Sequence, residues 1–257
     1  MSTDSTKDLD GEIAVVTGAG RGLGRAIAVR LASAGAHVVG LDLRPIDETI
    51  AAVEAAGGRA EGRIADVTDE QAVSAVVDEI VAAHGPIGLL VNNAGRWIDL
   101  ERRPFWEIDV PEFDAVMEVN ARSVFVVSKV VSASMREARR GRIVNFSSNT
   151  VSIGMPDLIH YVASKSAILG LSRSMATELA PYGITVNTVA PGLVPTDAGR
   201  DGMPDEFFDA VIGTQLLPVA ITPEDIAEAV GYLCGPGGRM VTGQVLTVSG
   251  GTTMGPA

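Results

Sequence analysis

The sequence has 257 residues, 46% of them apolar, and a formal net charge of −12. That is enough for a large core in one α/β domain, and the acidity repels phosphate backbones, which excludes nucleic acid as an expected partner. Cys234 is the sole cysteine, so no intramolecular disulfide forms, in keeping with a reducing, cytoplasmic setting.

Residues 1–10 are polar and acidic, carry no apolar signal core, and are expected to form a mobile tail. From residue 11 on, short β-branched runs alternate with longer helical stretches. Strands are expected at 13–17, 37–42, 60–65, 88–93, 141–147, 184–190 and 244–249, and helices near 22–34, 45–56, 69–83, 111–138, 157–181 and 223–233. Val73, Val76, Val77 and Ile80 recur at helical spacing. TDEQ (68–71) and TPED (222–225) read as helix starts capped by Thr68 and Thr222. No run of about eighteen apolar residues occurs, so no membrane span is expected. The alternation predicts a doubly wound, mostly parallel sheet with helices on both faces, in one domain over 11–257. Residues 191–222 form a long connection rich in Pro and Gly, with Phe207, Phe208 and Ile212 on it, and 193–222 is expected to act as a substrate loop or lid.

TGAGRGLG (17–24) follows the first strand and opens a helix. Its pattern is G-x-x-x-G-x-G rather than G-x-G-x-x-G, but the physics is shared. Glycines without Cβ atoms let backbone N–H groups approach a pyrophosphate, and the helix N-terminus favours its charge. Asp42 ends the second strand, where a carboxylate holds both ribose hydroxyls and repels a 2′-phosphate. This favours NAD over NADP, although Arg21 and Arg44 are placed to approach a phosphate and leave NADP open. Further along, HYVASKSA (160–167) sets Tyr161 and Lys165 four residues apart, on one helix face. A free phenol has a pKa of about 10. A neighbouring ammonium lowers it and makes Tyr161 a usable acid/base group. His37, His84 and His160 are scattered without ligand spacing, so no metal is expected, and His160 reads as a pocket wall.

The motifs TGAGRGLG, NNAG (92–95), Asn120, Ser148, YVASK (161–165) and PG (191–192) stand in an order that resembles the short-chain dehydrogenase/reductase family, from residue 11 onward. The resemblance implies a seven-stranded Rossmann-type sheet and a homotetramer with VTGQVLTVSGG near a subunit interface. It implies a catalytic set of Asn120, Ser148, Tyr161 and Lys165. Lys165 would also bond the nicotinamide ribose, Ser148 would hold the substrate oxygen, and Asn120 would hold a water linking Lys165 to solvent. Carried over residue by residue, the cofactor would meet Gly18, Arg21, Gly22, Leu23, Gly24, Asp42 and Leu43. Asp66 and Val67 would contact the adenine, and Asn93, Ala94, Gly95, Pro191, Gly192, Val194 and Thr196 the rest. Asn92 would brace the central strands.

Around Ser148 and Tyr161, the substrate pocket is expected to draw on Arg96, Trp97, Ile153, Met155 and Phe207, mostly apolar. The expected reaction is NAD-dependent interconversion of a hydrophobic secondary alcohol and its ketone. The alternative is a 3-oxoacyl thioester reductase using NADPH. For it, MREARRGR (135–142) is a basic stretch suited to docking an acyl carrier protein, whereas Tyr182 stands where that group often has a basic residue. A non-catalytic dinucleotide-binding regulator is a further alternative, against which the intact four-residue set argues.

Overall fold

The computed structural model describes residues 8–97, 99–196 and 205–254. Its seven strands are β1 (Ile13–Thr17), β2 (His37–Asp42), β3 (Arg59–Ile64), β4 (Ile87–Asn92), β5 (Gly141–Phe146), β6 (Ile184–Pro191) and β7 (Val245–Val248). They form one all-parallel sheet in the order β3-β2-β1-β4-β5-β6-β7. The central strands are β-branched and buried along their whole length, the pattern of a sheet covered on both faces.

Successive side chains of each strand enter opposite cores. Ala14 and Val16 pack with Ile27 and Leu31 of α1 (Gly22–Ser33) and with Ile226 and Val230 of α9 (Pro223–Cys234). Ile13 and Val15 pack on the other face, against Val73, Val77 and Ile80 of α3 (Glu70–His84) and Val127 and Val131 of α5 (Ser123–Ala138). Each such fully buried Val, Leu or Ile contributes roughly 1.5–3 kcal/mol. The remaining helices are α2 (Asp47–Ala55), α4 (Val110–Met117), α6 (Thr150–Ile153), α7 (Ile159–Leu179) and α8 (Asp205–Ile212). None of the described helices is long and apolar enough to cross a membrane.

Three expectations need correction. The helix expected over 111–138 runs unbroken over 110–138 but is not α-helical throughout: α4 and α5 are joined by a π-helical turn at Glu118–Arg122 that carries buried Asn120. The turn closes i→i+5 rather than i→i+4 bonds, a local change that was not read from the sequence. At the start of α3 the cap is Asp69, whose carboxylate accepts from Gln71 N (2.9 Å) and Ala72 N (3.2 Å). Thr68 instead bonds the Asp66 carboxylate through both its N–H and its hydroxyl. Thr222 does cap α9, in a reciprocal box with Asp225. The tail expected over 1–10 is shorter at its inner end, since Leu9 is buried in the core and its N–H donates to Ala34 O at 2.9 Å. Of the substrate loop, residues 197–204 lie outside the described residues.

Candidate active site

The strand order reverses between β1 and β4, so their following connections diverge and open a crevice at the carboxyl ends of the strands. The crevice measures about 930 Å³. Its floor is the glycine turn, whose glycines are required by contact. A Cβ on Gly24 would stand 2.0 Å from Gly18 O, and one on Gly18 would stand 2.9 Å from Ala94 Cα. Thr17 and Asn93 lock the turn to the end of β4. The Thr17 hydroxyl accepts from the N–H groups of Asn93 and Ala94, and Asn93 Nδ2 donates to the carbonyls of Thr17 and Gly18.

The first turn of α1 has no side-chain cap and no acidic residue, and Arg21, Gly22, Leu23 and Gly24 line the crevice. Unfilled N–H groups at a helix start, facing open space, fit a pyrophosphate. Asp42 accepts from Gly20 N at 2.9 Å and from Arg44 N at 3.3 Å. It both braces the turn and borders the crevice, where a ribose would lie. Asp66 and Val67 border the same end. Every cofactor residue expected from the sequence, from Gly18 to Thr196, lines this crevice, so the chain's own residues fit a dinucleotide.

Tyr161 and Lys165 rise from α7 into the crevice on the same side, with Lys165 Nζ 5.9 Å from the phenol ring centre. Lys165 is buried, and its ammonium donates to Phe146 O at 2.9 Å. Burial lowers the lysine pKa to about 8. Burial raises that of Tyr161 to about 12, against a smaller lowering by the Ser148 hydroxyl. In the protein alone, desolvation thus opposes the lowering expected from Lys165. The ammonium is turned to a carbonyl, and desolvation dominates.

Ser148 follows β5. Its Oγ accepts two bonds from Thr150, from the N–H at 3.2 Å and the hydroxyl at 2.9 Å. A hydroxyl has two acceptor positions and one proton. With both acceptors filled, Ser148 is left as a donor. Thr150 was not singled out from the sequence, and its only signal there was a hydroxyl two residues after Ser148.

Asn120 does not line the crevice but stands behind it. Its Oδ1 accepts from Arg96 N at 2.6 Å, while its Nδ2 donates to Arg96 O and to Ser164 Oγ. Ser164 in turn donates to Tyr161 O at 2.7 Å. The amide ties the end of β4 to the turn of α7 that carries the phenol. Its oxygen and the Lys165 ammonium flank Gly95, where an added Cβ would meet them at 3.3 and 3.4 Å. Asn92 does brace the strands, donating to Asn145 and Ser128.

On the substrate side, Trp97, Ile153, Met155 and Phe207 line the crevice with Leu158 and Val211, and Arg102 stacks over the Phe207 ring at 5.5 Å. Phe208 is buried, and Val211 rather than Ile212 reaches the crevice. Two readings fail. His160 is not a pocket wall: it is fully buried, with Nε2 3.4 Å from Glu112 of α4. The basic stretch 135–142 is not at the crevice mouth. It leads into the amino end of β5, the opposite end of the sheet, where Arg136 and Arg139 stack on Tyr182 and Arg140 pairs with Glu12.

Residues 18–253 match a family profile described as enoyl-(acyl carrier protein) reductase. The chain is 36% identical over 247 residues to the 3-oxoacyl-[acyl-carrier-protein] reductase FabG of Vibrio cholerae, covering 96% of this chain and 99% of that protein. It is 35% identical over 245 residues to the 7alpha-hydroxysteroid dehydrogenase of Escherichia coli, covering 95% and 94%. The crystal structure of a dehydrogenase/reductase from Sinorhizobium meliloti superposes with a TM-score of 0.87 at 37% identity, covering 97% of this chain and 98% of the other.

Proposed function

Because the chain belongs to the short-chain dehydrogenase/reductase family and is an oxidoreductase of that family, we propose that it reduces a carbonyl on an apolar substrate, with Tyr161 as proton donor. The observation that carries this is the meeting of a donor-only Ser148 hydroxyl and a protonated Tyr161 phenol on one wall of the dinucleotide-shaped crevice. A nicotinamide dinucleotide, when bound, supplies or accepts the hydride. The α1 N-terminus and glycine turn would hold its pyrophosphate, Asp42 its adenosine ribose, and Asp66 and Val67 its adenine. Lys165 and Tyr161 would border its nicotinamide end.

The protein residues handle the proton and the developing charge. Ser148 donates to the substrate oxygen and stabilises the negative charge that grows there. Tyr161 delivers its proton to that oxygen. With its pKa raised to about 12, the phenol is protonated through neutral pH, the form that reduction requires and oxidation does not. Lys165 is the nearby group that can resupply a proton, with a pKa of about 8.

For the substrate, a 3-oxoacyl thioester is favoured by the 36% identity to the Vibrio cholerae reductase. A bulky apolar secondary alcohol or ketone is the second reading, favoured by the hydroxysteroid dehydrogenase relative and by the lining of Ile153, Met155, Leu158 and Phe207. Asp42 favours NAD, because its carboxylate repels a 2′-phosphate. Assembly as a homotetramer is part of the proposal, supported by the exposed apolar side chains Phe105, Trp106, Val110 and Phe125.

The test compares acetoacetyl thioester with a panel of apolar ketones, each with NADH and NADPH. At least about tenfold higher kcat/KM on the thioester upholds the first substrate reading, and the reverse order the second. No dinucleotide oxidation with any carbonyl would sink both. A preference for NADPH would overturn the role given to Asp42.

A further inference from the structure

The chain has three histidines, and two of them meet far from the crevice. His37 is the first residue of β2, His84 is the last of α3, and Glu61 lies on the edge strand β3. Their rings sit edge-on with centres 4.5 Å apart. His84 Nε2 is 2.6 Å from Glu61 Oε1. One ligand atom from each of the three side chains lies within 4.8 Å of the other two. The three are scattered in sequence but not in space, because the parallel pairing of β2 with β3 and the return of α3 bring them together.

We propose that His37, Glu61 and His84 bind one divalent transition-metal ion of the zinc type. Two imidazole nitrogens and a carboxylate oxygen form a donor set that zinc accepts, with a fourth position left to water. Imidazole also selects against magnesium and calcium, which prefer oxygen ligands. The three side chains are half-buried, so they are partly ordered by packing yet reachable from solvent. The backbone N–H of His37 donates to Glu12 O, but its imidazole makes no hydrogen bond to a described residue, which leaves a ring nitrogen free. For His84 Nε2 to coordinate, its proton must shift to Nδ1 or leave for solvent.

The opposing charges lie close by. Arg63 is 3.3 Å from Glu61 Oε2, and Arg59 also faces His37. Arg63 is shared with Glu79 at 3.7 Å, and it engages the Glu61 oxygen that is turned away from His84. Oε1 therefore remains for the ion. An ion there would join β2, the edge strand β3 and α3, and would stabilise the folded chain by binding it alone.

The test uses the full chain, stripped with a chelator, then titrated with Co²⁺ by visible absorption and with Zn²⁺ by calorimetry and thermal unfolding. A single site per chain is expected, with the intense absorption of four- or five-coordinate Co²⁺ and a Tm raised by Zn²⁺. Glu61→Gln should weaken binding by about tenfold or more. His84→Ala removes the Glu61 bond as well as a ligand, so His37→Phe is the second variant. It keeps an edge-on ring with no donor atom, and should fold, bind dinucleotide as before, and lose both the Co²⁺ spectrum and the Tm rise. The proposal is overturned if wild type binds no Co²⁺, or if His37→Phe and His84→Ala bind it with the wild-type spectrum and affinity.

Discussion

At the residue scale, the site is a set of hydroxyls with assigned directions. Thr150 fills both acceptor positions of Ser148, so its removal should blur where the Ser148 proton points. Thr150→Val is expected to lower kcat for carbonyl reduction about tenfold, the worth of one hydrogen bond, and to leave dinucleotide affinity unchanged. A loss of dinucleotide binding instead would show that Thr150 serves only the fold. Tyr161 makes a second prediction. Its pKa lies near 12 in the protein alone. Ultraviolet titration without dinucleotide, wild type minus Tyr161→Phe, should show no phenolate from this residue until pH is well above 10. An ionisation near neutrality would mean that Lys165 dominates after all. The same shift has a stability consequence. The folded state holds the phenolic proton more tightly than the unfolded chain, so this contribution is intact below pH 10 and is lost as pH rises through about 12.

At the element scale, the glycine turn and α1 make the cofactor end of the crevice, and the connection is steric. Gly24 packs against Gly18 O so closely that a methyl group has no room. Gly24→Ala is expected to abolish dinucleotide binding, measured by fluorescence, while far-ultraviolet circular dichroism stays close to wild type. Binding within threefold of wild type would contradict the close approach of the turn. The strands, α1 and the Thr222 cap were legible in the sequence because each rests on local spacing or one side chain. The π turn between α4 and α5 was not, since it is a change of hydrogen bonding inside one continuous helix. Asp69 displaced Thr68 as the cap because Asp66 engages Thr68 first. Both hydroxyls and carboxylates satisfy a cap, so local sequence leaves the choice open.

At the scale of the whole molecule, the seven-stranded order places the crevice at the switch between β1 and β4, and brings residues from Gly18 to Thr252 to its walls. That much followed from strand–helix alternation and motif order. What required coordinates were the convergences between distant segments. Asn120 reaches Arg96 and Ser164, and His37 reaches Glu61 and His84. The basic stretch 135–142 turns out to sit at the far end of the sheet. No spacing rule encodes such meetings, because they depend on strand register and on where helices return. In the function proposed above, the Tyr161 phenol carries the proton in a dinucleotide-dependent carbonyl reduction. The direct measurement is the turnover of Tyr161→Phe on the best carbonyl substrate, beside its dinucleotide affinity. Affinity should be kept and kcat should fall at least about a hundredfold. Turnover within a few-fold of wild type, with dinucleotide bound, would contradict it.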